Sequence, residues 1–167
     1  ILRNVSVNLT VPILMARDMA ESMVDRGHGQ IVMIGSVSGK TASAQASMYN
    51  ATKFGLRGFS LALRQDLAGR GVGVSLVEPG FVRDAGMFVE AGGKLPRGVR
   101  TVTPEQVAKK VVKAIKRDRA EIVVAPIELR GGAAMGSVFP TLSAKLQKAG
   151  GGDAVIESMV GEQRAER

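Results

Sequence analysis

The chain has no cysteine and no tryptophan, and only one tyrosine and one histidine in 167 residues. Without cysteine it can form neither a disulfide nor a thiolate metal centre, which fits a cytoplasmic location. The single histidine, His28, lies in the turn-like stretch Arg26-Gly27-His28-Gly29 and reads as a surface loop residue rather than a ligand. No apolar run approaches the ~18 residues of a membrane span, so no integral membrane segment is expected. Aromatic residues make up only 4% of the chain. Base stacking therefore has almost nothing to work with, which argues against nucleic acid as a partner.

What is present is enough apolar material for one globular core, 45% of the residues. The net charge of +8 is concentrated, because residues 94–119 hold nine lysines and arginines against Glu105 and Asp118. Such a stretch can meet a phosphate-bearing cofactor, an anionic membrane or nucleic acid. It can equally be the solvated face of a helix, and that is the reading we favour.

Periodicity divides the chain into alternating elements. Residues 4–26 carry Leu9, Ile13, Ala16, Ala20 and Met23 near helical spacing. Pro12 interrupts this helix and cannot donate to the carbonyl of Asn8, so a local kink is expected there. Gln30 to Gly35 is a continuous apolar run suited to a strand buried on both faces. A loop over 37–47 precedes a helix from Ser47 to Ala68, whose core stripe is Leu56, Phe59, Leu63 and Leu67. Its second stripe, Ala51, Gly55, Gly58 and Ala62, is entirely small and suits close packing within a subunit or between subunits. Gly69-Arg70-Gly71-Val72-Gly73 follows a helix and precedes a strand, so it is a helix stop and not a phosphate-binding turn.

Gly73 to Glu78 reads as the next strand and ends in the turn Pro79-Gly80. Residues 81–102 lack periodicity and contain glycine, as a mobile substrate loop would. Thr103-Pro104-Glu105-Gln106 opens a helix with an N-cap, a proline at N1 and a glutamine at N3. That helix runs to about Asp118 and delivers a strand from Glu121 to Ala125. Beyond Pro126 a glycine-rich link leads to two short helical candidates, 141–149 and 153–165. Strand–helix–strand order at these separations predicts an α/β fold with a parallel sheet and right-handed crossovers. Ligands of such sheets bind beyond the carboxyl ends of the strands.

Tyr49 and Lys53 stand four residues apart on a helix face, and Ser36 ends a strand thirteen residues before Tyr49. A nearby ammonium favours phenolate, so Tyr49 is expected to titrate below the free phenol value of ~10. Such a group can exchange a proton with an alcohol or carbonyl near neutral pH.

From Asn8 to about Pro126 the chain resembles the C-terminal portion of a short-chain dehydrogenase/reductase. The resemblance rests on Val7-Asn8-Leu9-Thr10, on Ile34-Gly35-Ser36-Val37-Ser38-Gly39, on Tyr49 with Lys53, and on Pro79-Gly80. It implies the later half of a Rossmann-type doubly wound parallel sheet, of about three strands with flanking helices. It also implies hydride transfer between an alcohol or carbonyl substrate and a nicotinamide cofactor, NAD or NADP. The roles it implies are Tyr49 as general acid/base, Lys53 lowering the tyrosine pKa and holding the nicotinamide ribose, and Ser36 orienting the substrate oxygen. Asn8 would hold a water in the proton relay. Pro79, Gly80 and Val82 would form a wall against the nicotinamide, with the Val82 amide touching its carboxamide. Ser38 is the second candidate for the Ser36 role. Asp84 stands where the family often has a threonine, and a carboxylate that cannot donate there is expected to turn outward.

The family's glycine-rich turn after a first strand has no counterpart after Ile1. By this reading about 90–100 preceding residues would complete the cofactor site, and the 167 residues alone would have little activity. We therefore expect residues 1–126 to form a partial catalytic unit and 127–167 a helical extension. Homo-oligomerisation is expected through the 47–68 helix, as the family implies. Two rival readings remain: a non-catalytic interaction module derived from such a half, and a basic domain that binds membrane or nucleic acid.

Overall fold

A computed structural model describes residues 1–84 and 100–149. The first helix is continuous in path but not in winding. Helix α1 (Leu2–Val5) passes into a π-helical turn over Ser6–Thr10, then into α2 (Val11–Asp25). Pro12 lies in the first turn of α2, and the amide of Val11 reaches back to the Ser6 carbonyl. The distortion expected at Asn8 is therefore a π bulge, with the proline immediately downstream as its local cause.

Strand β1 (Gly29–Ile34), a 3₁₀ turn (Val37–Gly39) and helix α3 (Ser47–Asp66) follow. Strand β2 (Val72–Pro79), helix α4 (Pro104–Lys116) and strand β3 (Glu121–Val124) complete the sheet. The three strands are parallel in the order β1-β2-β3. Ile34 pairs with Val77 and Pro79 with Val124, so the strands finish close together at one edge. This is a partial Rossmann-like sheet with helices on both faces.

The alternation of β2 explains how both faces fill. Val72, Val74 and Leu76 point to one side and join Ile31, Met33 and Leu56 against α2 and α3. Val77 points to the other side and packs with Val124 and Ala114 beneath α4. Burying Leu56 and Leu76, at 2% and 0% exposure, contributes about 1.5–3 kcal/mol each. The turn into β2 depends on Gly71, whose φ of +75° suits glycine and whose site leaves no room for a side chain against the Gly27 carbonyl. The capping box at α4 forms as expected: Thr103 Oγ1 accepts from the Gln106 amide at 3.2 Å, and Gln106 Oε1 accepts from the Thr103 amide at 2.9 Å.

The C-terminal part corrects the sequence reading. The stretch after Pro126, expected as a glycine-rich link, is helix α5 (Ile127–Val138), followed by α6 (Pro140–Ala149). Glycine disfavours a helix locally, by ~1 kcal/mol per residue, but here small residues permit a close approach. Ala133 and Gly136 are buried, and a Cβ on Gly136 would collide with Thr41. Thr41 Oγ1 and Ser143 Oγ lie 3.3 Å apart, and Gln147 donates to both. The helix expected over 153–165 and most of the 81–102 loop lie outside the described residues.

Candidate active site

The carboxyl ends of β1 and β2 open onto a cleft of about 710 Å³. Asn8, Ser36, Tyr49, Lys53, Pro79, Gly80 and Val82 all line it. Residues scattered from the first helix to the turn after β2 thus meet at one edge, as the parallel topology requires. Each is placed for a separate reason. The π turn carries Asn8, the end of β1 delivers Ser36, and the opening turns of α3 present Tyr49 and Lys53. The last residue of β2 and the first beyond it are Pro79 and Gly80.

The Ser36 side chain accepts a hydrogen bond from the Ser38 amide at 3.1 Å, which fixes the hydroxyl at the start of the 3₁₀ turn. Asn50, 6% exposed, donates to the Ser38 and Thr41 carbonyls and ties this turn to α3. Ser38 also lines the cleft, so both serine candidates remain at the site.

Lys53 Nζ donates to the Ile34 carbonyl at 3.2 Å and lies over the Tyr49 ring, 5.7 Å from its centroid. Burial lowers its pKa. Among the described residues it forms no ion pair, and it is the one cationic side chain lining the cleft.

Tyr49 departs from the expectation of a depressed pKa. Burial pushes its phenol up, and a hydrogen bond with the Ser36 side chain opposes this without reversing it. Helical spacing brought Lys53 beside the ring, but over its face. Desolvation, which spacing cannot show, is the larger influence.

Asp84 turns outward as expected. Its side chain is 73% exposed and pairs with Arg83 at 3.4 Å. Nearby, a bridge between Val82 and Val102 joins the two sides of the segment that contains residues 85–99. The small-residue stripe of α3 divides in the structure. A Cβ on Gly55 would sit 3.2 Å from Leu9, so that position serves packing within the chain, whereas Gly58 has open space beside it.

Sequence reasoning missed two parts of the site. One is its apolar wall, including Val37, Phe81, Val107 and Val111, together with Asn4, whose buried Oδ1 has no hydrogen-bond partner among the described residues. The other is an ionic cluster of Lys40, Arg57, Glu78 and Glu121 behind the Ser36 turn. A charge closing the apolar run Val72–Glu78 was a visible signal for the second. For the wall, no local signal existed.

The family model described as short chain dehydrogenase matches residues 1–95. The chain belongs to this family. It is 41% identical over 119 residues to the ketoacyl reductase HetN of Nostoc sp., a match covering 71% of this chain and 42% of that protein. The crystal structure of serine dehydrogenase from Escherichia coli superposes with a TM-score of 0.58 at 31% identity, covering 72% of this chain and 50% of that one. The structure of 4-hydroxyisoleucine dehydrogenase complexed with NADH gives a TM-score of 0.60 at 23% identity, over 72% of this chain and 55% of that one, a likeness of fold. The chain spans about half the length of the relatives it matches, or less.

Proposed function

We propose that this chain supplies the catalytic portion of a nicotinamide-dependent oxidoreductase acting on an alcohol or carbonyl. The observation that carries the reading is the convergence of Asn8, Ser36, Tyr49 and Lys53 on one cleft beside Pro79-Gly80. The cleft suits the cofactor: it joins a half-buried ammonium, without an ion pair among the described residues, to an apolar wall, as a neutral nicotinamide and its ribose hydroxyls require. When bound, the nicotinamide supplies or accepts the hydride.

The protein residues handle the proton and the orientation. Tyr49 exchanges a proton with the substrate oxygen at its phenol. The hydroxyl of Ser36, held by the Ser38 amide, donates to the same oxygen. Lys53 neutralises charge that develops on the phenol and donates to ribose hydroxyls. Asn8 holds a water through which the lysine exchanges protons. Pro79, Gly80 and Val82, which line the cleft, would hold the nicotinamide. A tyrosine raised by burial keeps its proton near neutral pH, the form that can protonate the substrate oxygen when a carbonyl is reduced. The naming of HetN as a ketoacyl reductase supports trying oxo-acyl substrates first. The open flank of α3 at Gly58 supports self-association there. NAD and NADP both fit this portion.

Tyr49→Phe keeps the ring and removes the exchangeable proton. In the full-length protein to which this portion contributes, with NADH or NADPH and a set of oxo-acyl esters and diketones, turnover is expected to fall ~10²–10⁴-fold with cofactor affinity retained. Undiminished turnover in the variant would overturn the acid/base role.

A further inference from the structure

Behind the turn that carries Ser36, Glu78 closes the buried run of β2 with its side chain fully enclosed. Lys40 Nζ lies 3.5 Å from one of its carboxylate oxygens, and Arg57 Nε lies 3.8 Å from the other. Both cations make their short contacts elsewhere, to Glu121 at 2.5 Å and 2.6 Å. Neither oxygen of Glu78 has a hydrogen-bond partner among the described residues. Burial and the neighbouring Glu121 push its pKa up to about 7, against the pull of Lys40 and Arg57. A buried carboxylate this poorly satisfied is weak as a source of stability, so its place in the fold needs another reason.

That reason lies in what rests on it. A Cβ on Gly35 would sit 3.3 Å from Glu78 Cγ. A Cβ on Gly39 would sit 3.6 Å from Glu78 Oε1 and only 2.8 Å from the Lys53 carbonyl oxygen. The Gly35–Gly39 turn therefore lies on the Leu76 and Glu78 side chains and against the α3 backbone at Lys53. Lys40 continues that turn, and Arg57 stands one helical turn beyond Lys53.

We propose that Glu78 is a positioning residue, which lies beneath the Gly35–Gly39 turn and, together with Glu121, anchors Lys40 and Arg57, so that the Ser36 turn keeps register with Lys53 and Tyr49 across the cleft. The proposal rests on the reading of that cleft as the active site. It assigns Glu78 no contact with substrate or cofactor.

Tyr49 is the only tyrosine and there is no tryptophan, so its phenol can be titrated by ultraviolet absorbance without any assay of turnover. Besides Tyr49, Lys53 is the one titratable side chain that lines the cleft among the described residues. Glu78→Gln keeps the shape and removes the charge. A loosened turn admits water to a phenol whose pKa burial has raised, so the ionisation constant is expected to increase about tenfold, one pH unit downward. Asp118→Asn removes one carboxylate charge from the Arg64 pair at the amino edge of the sheet, away from the turn, and a smaller shift is expected.

Equal shifts in the two variants would reduce the effect to charge alone and overturn the proposal. So would an unchanged Tyr49 titration in folded Glu78→Gln. Should Glu78→Gln fail to fold by circular dichroism, Arg57→Lys retains the charge but not the guanidinium reach, and the absence of any Tyr49 shift there would overturn the proposal. A shift here with no redox turnover in the full-length protein would instead sink the proposed function. Turnover dependent on Tyr49 with no shift would sink the positioning role alone.

Discussion

Two groups of ionisable residues stand on opposite sides of the Gly35–Gly39 turn, and they are built on opposite rules. In front, Tyr49 and Lys53 face a cleft of about 710 Å³, and among the described residues no carboxylate pairs with the lysine. Behind, Lys40, Arg57, Glu78 and Glu121 share their charges in a closed network. The front group has few partners: Lys53 donates to the Ile34 carbonyl, and Tyr49 shares a hydrogen bond with the Ser36 side chain. The rear group spends its donors on fixing chain segments. The difference shows that buried charge in this molecule serves two ends, and that partner count separates them better than burial does.

The comparison breaks most clearly from the rear. Lys40→Met leaves Glu78 and Glu121 with Arg57 as their one cation in the network, and such uncompensated buried charge costs about 3–5 kcal/mol. A lowered melting temperature is expected, and a Tm equal to that of the parent protein would show the network to be dispensable. From the front, Ser36→Ala should do the reverse. On the proposed role, loss of this donor is expected to lower turnover of the full-length protein by about 10²–10³-fold, while stability measured by denaturant changes little. A large loss of stability would place Ser36 with the structural group.

The third prediction sharpens the contrast through pH. Glu78 binds its proton more tightly folded than unfolded, since its pKa rises from the ordinary 4.5 to about 7. Its contribution to stability is thus full below pH 4.5 and is lost as the pH rises through about 7. Glu121 has the opposite sign: its pKa is lowered, so its contribution is present above its ordinary value and lost as the pH falls. Comparing the Tm of the parent with that of Glu78→Gln isolates the first effect. The variant should gain on the parent by up to ~3 kcal/mol over that rise. A constant difference across the range would remove the charge argument.

Much of the fold was legible because its signals are local. The Thr103-to-Gln106 capping box, the apolar run into β1 and the glycine stop before β2 each depend on neighbours a few residues away. The distortion at Asn8 was legible for the same reason, since Pro12 removes a specific amide from the helix. Helix α5 was not, because its glycines oppose a helix until Thr41 and Ser143 come to pack against Gly136.

The sequence by itself determined the order of the strands and of the helices between them, while the cleft residues it named came through the family resemblance and left out the apolar wall. Spacing along one chain is sufficient for the elements, because helix and strand periods convert it directly into direction. Only the tertiary structure decided the electrostatics. Tyr49 is raised rather than lowered because the fold withdraws water from it. Glu78 acquires its partners because residues at 40, 57, 78 and 121 converge. Both effects depend on what surrounds a charge in space, which no local pattern of residues encodes.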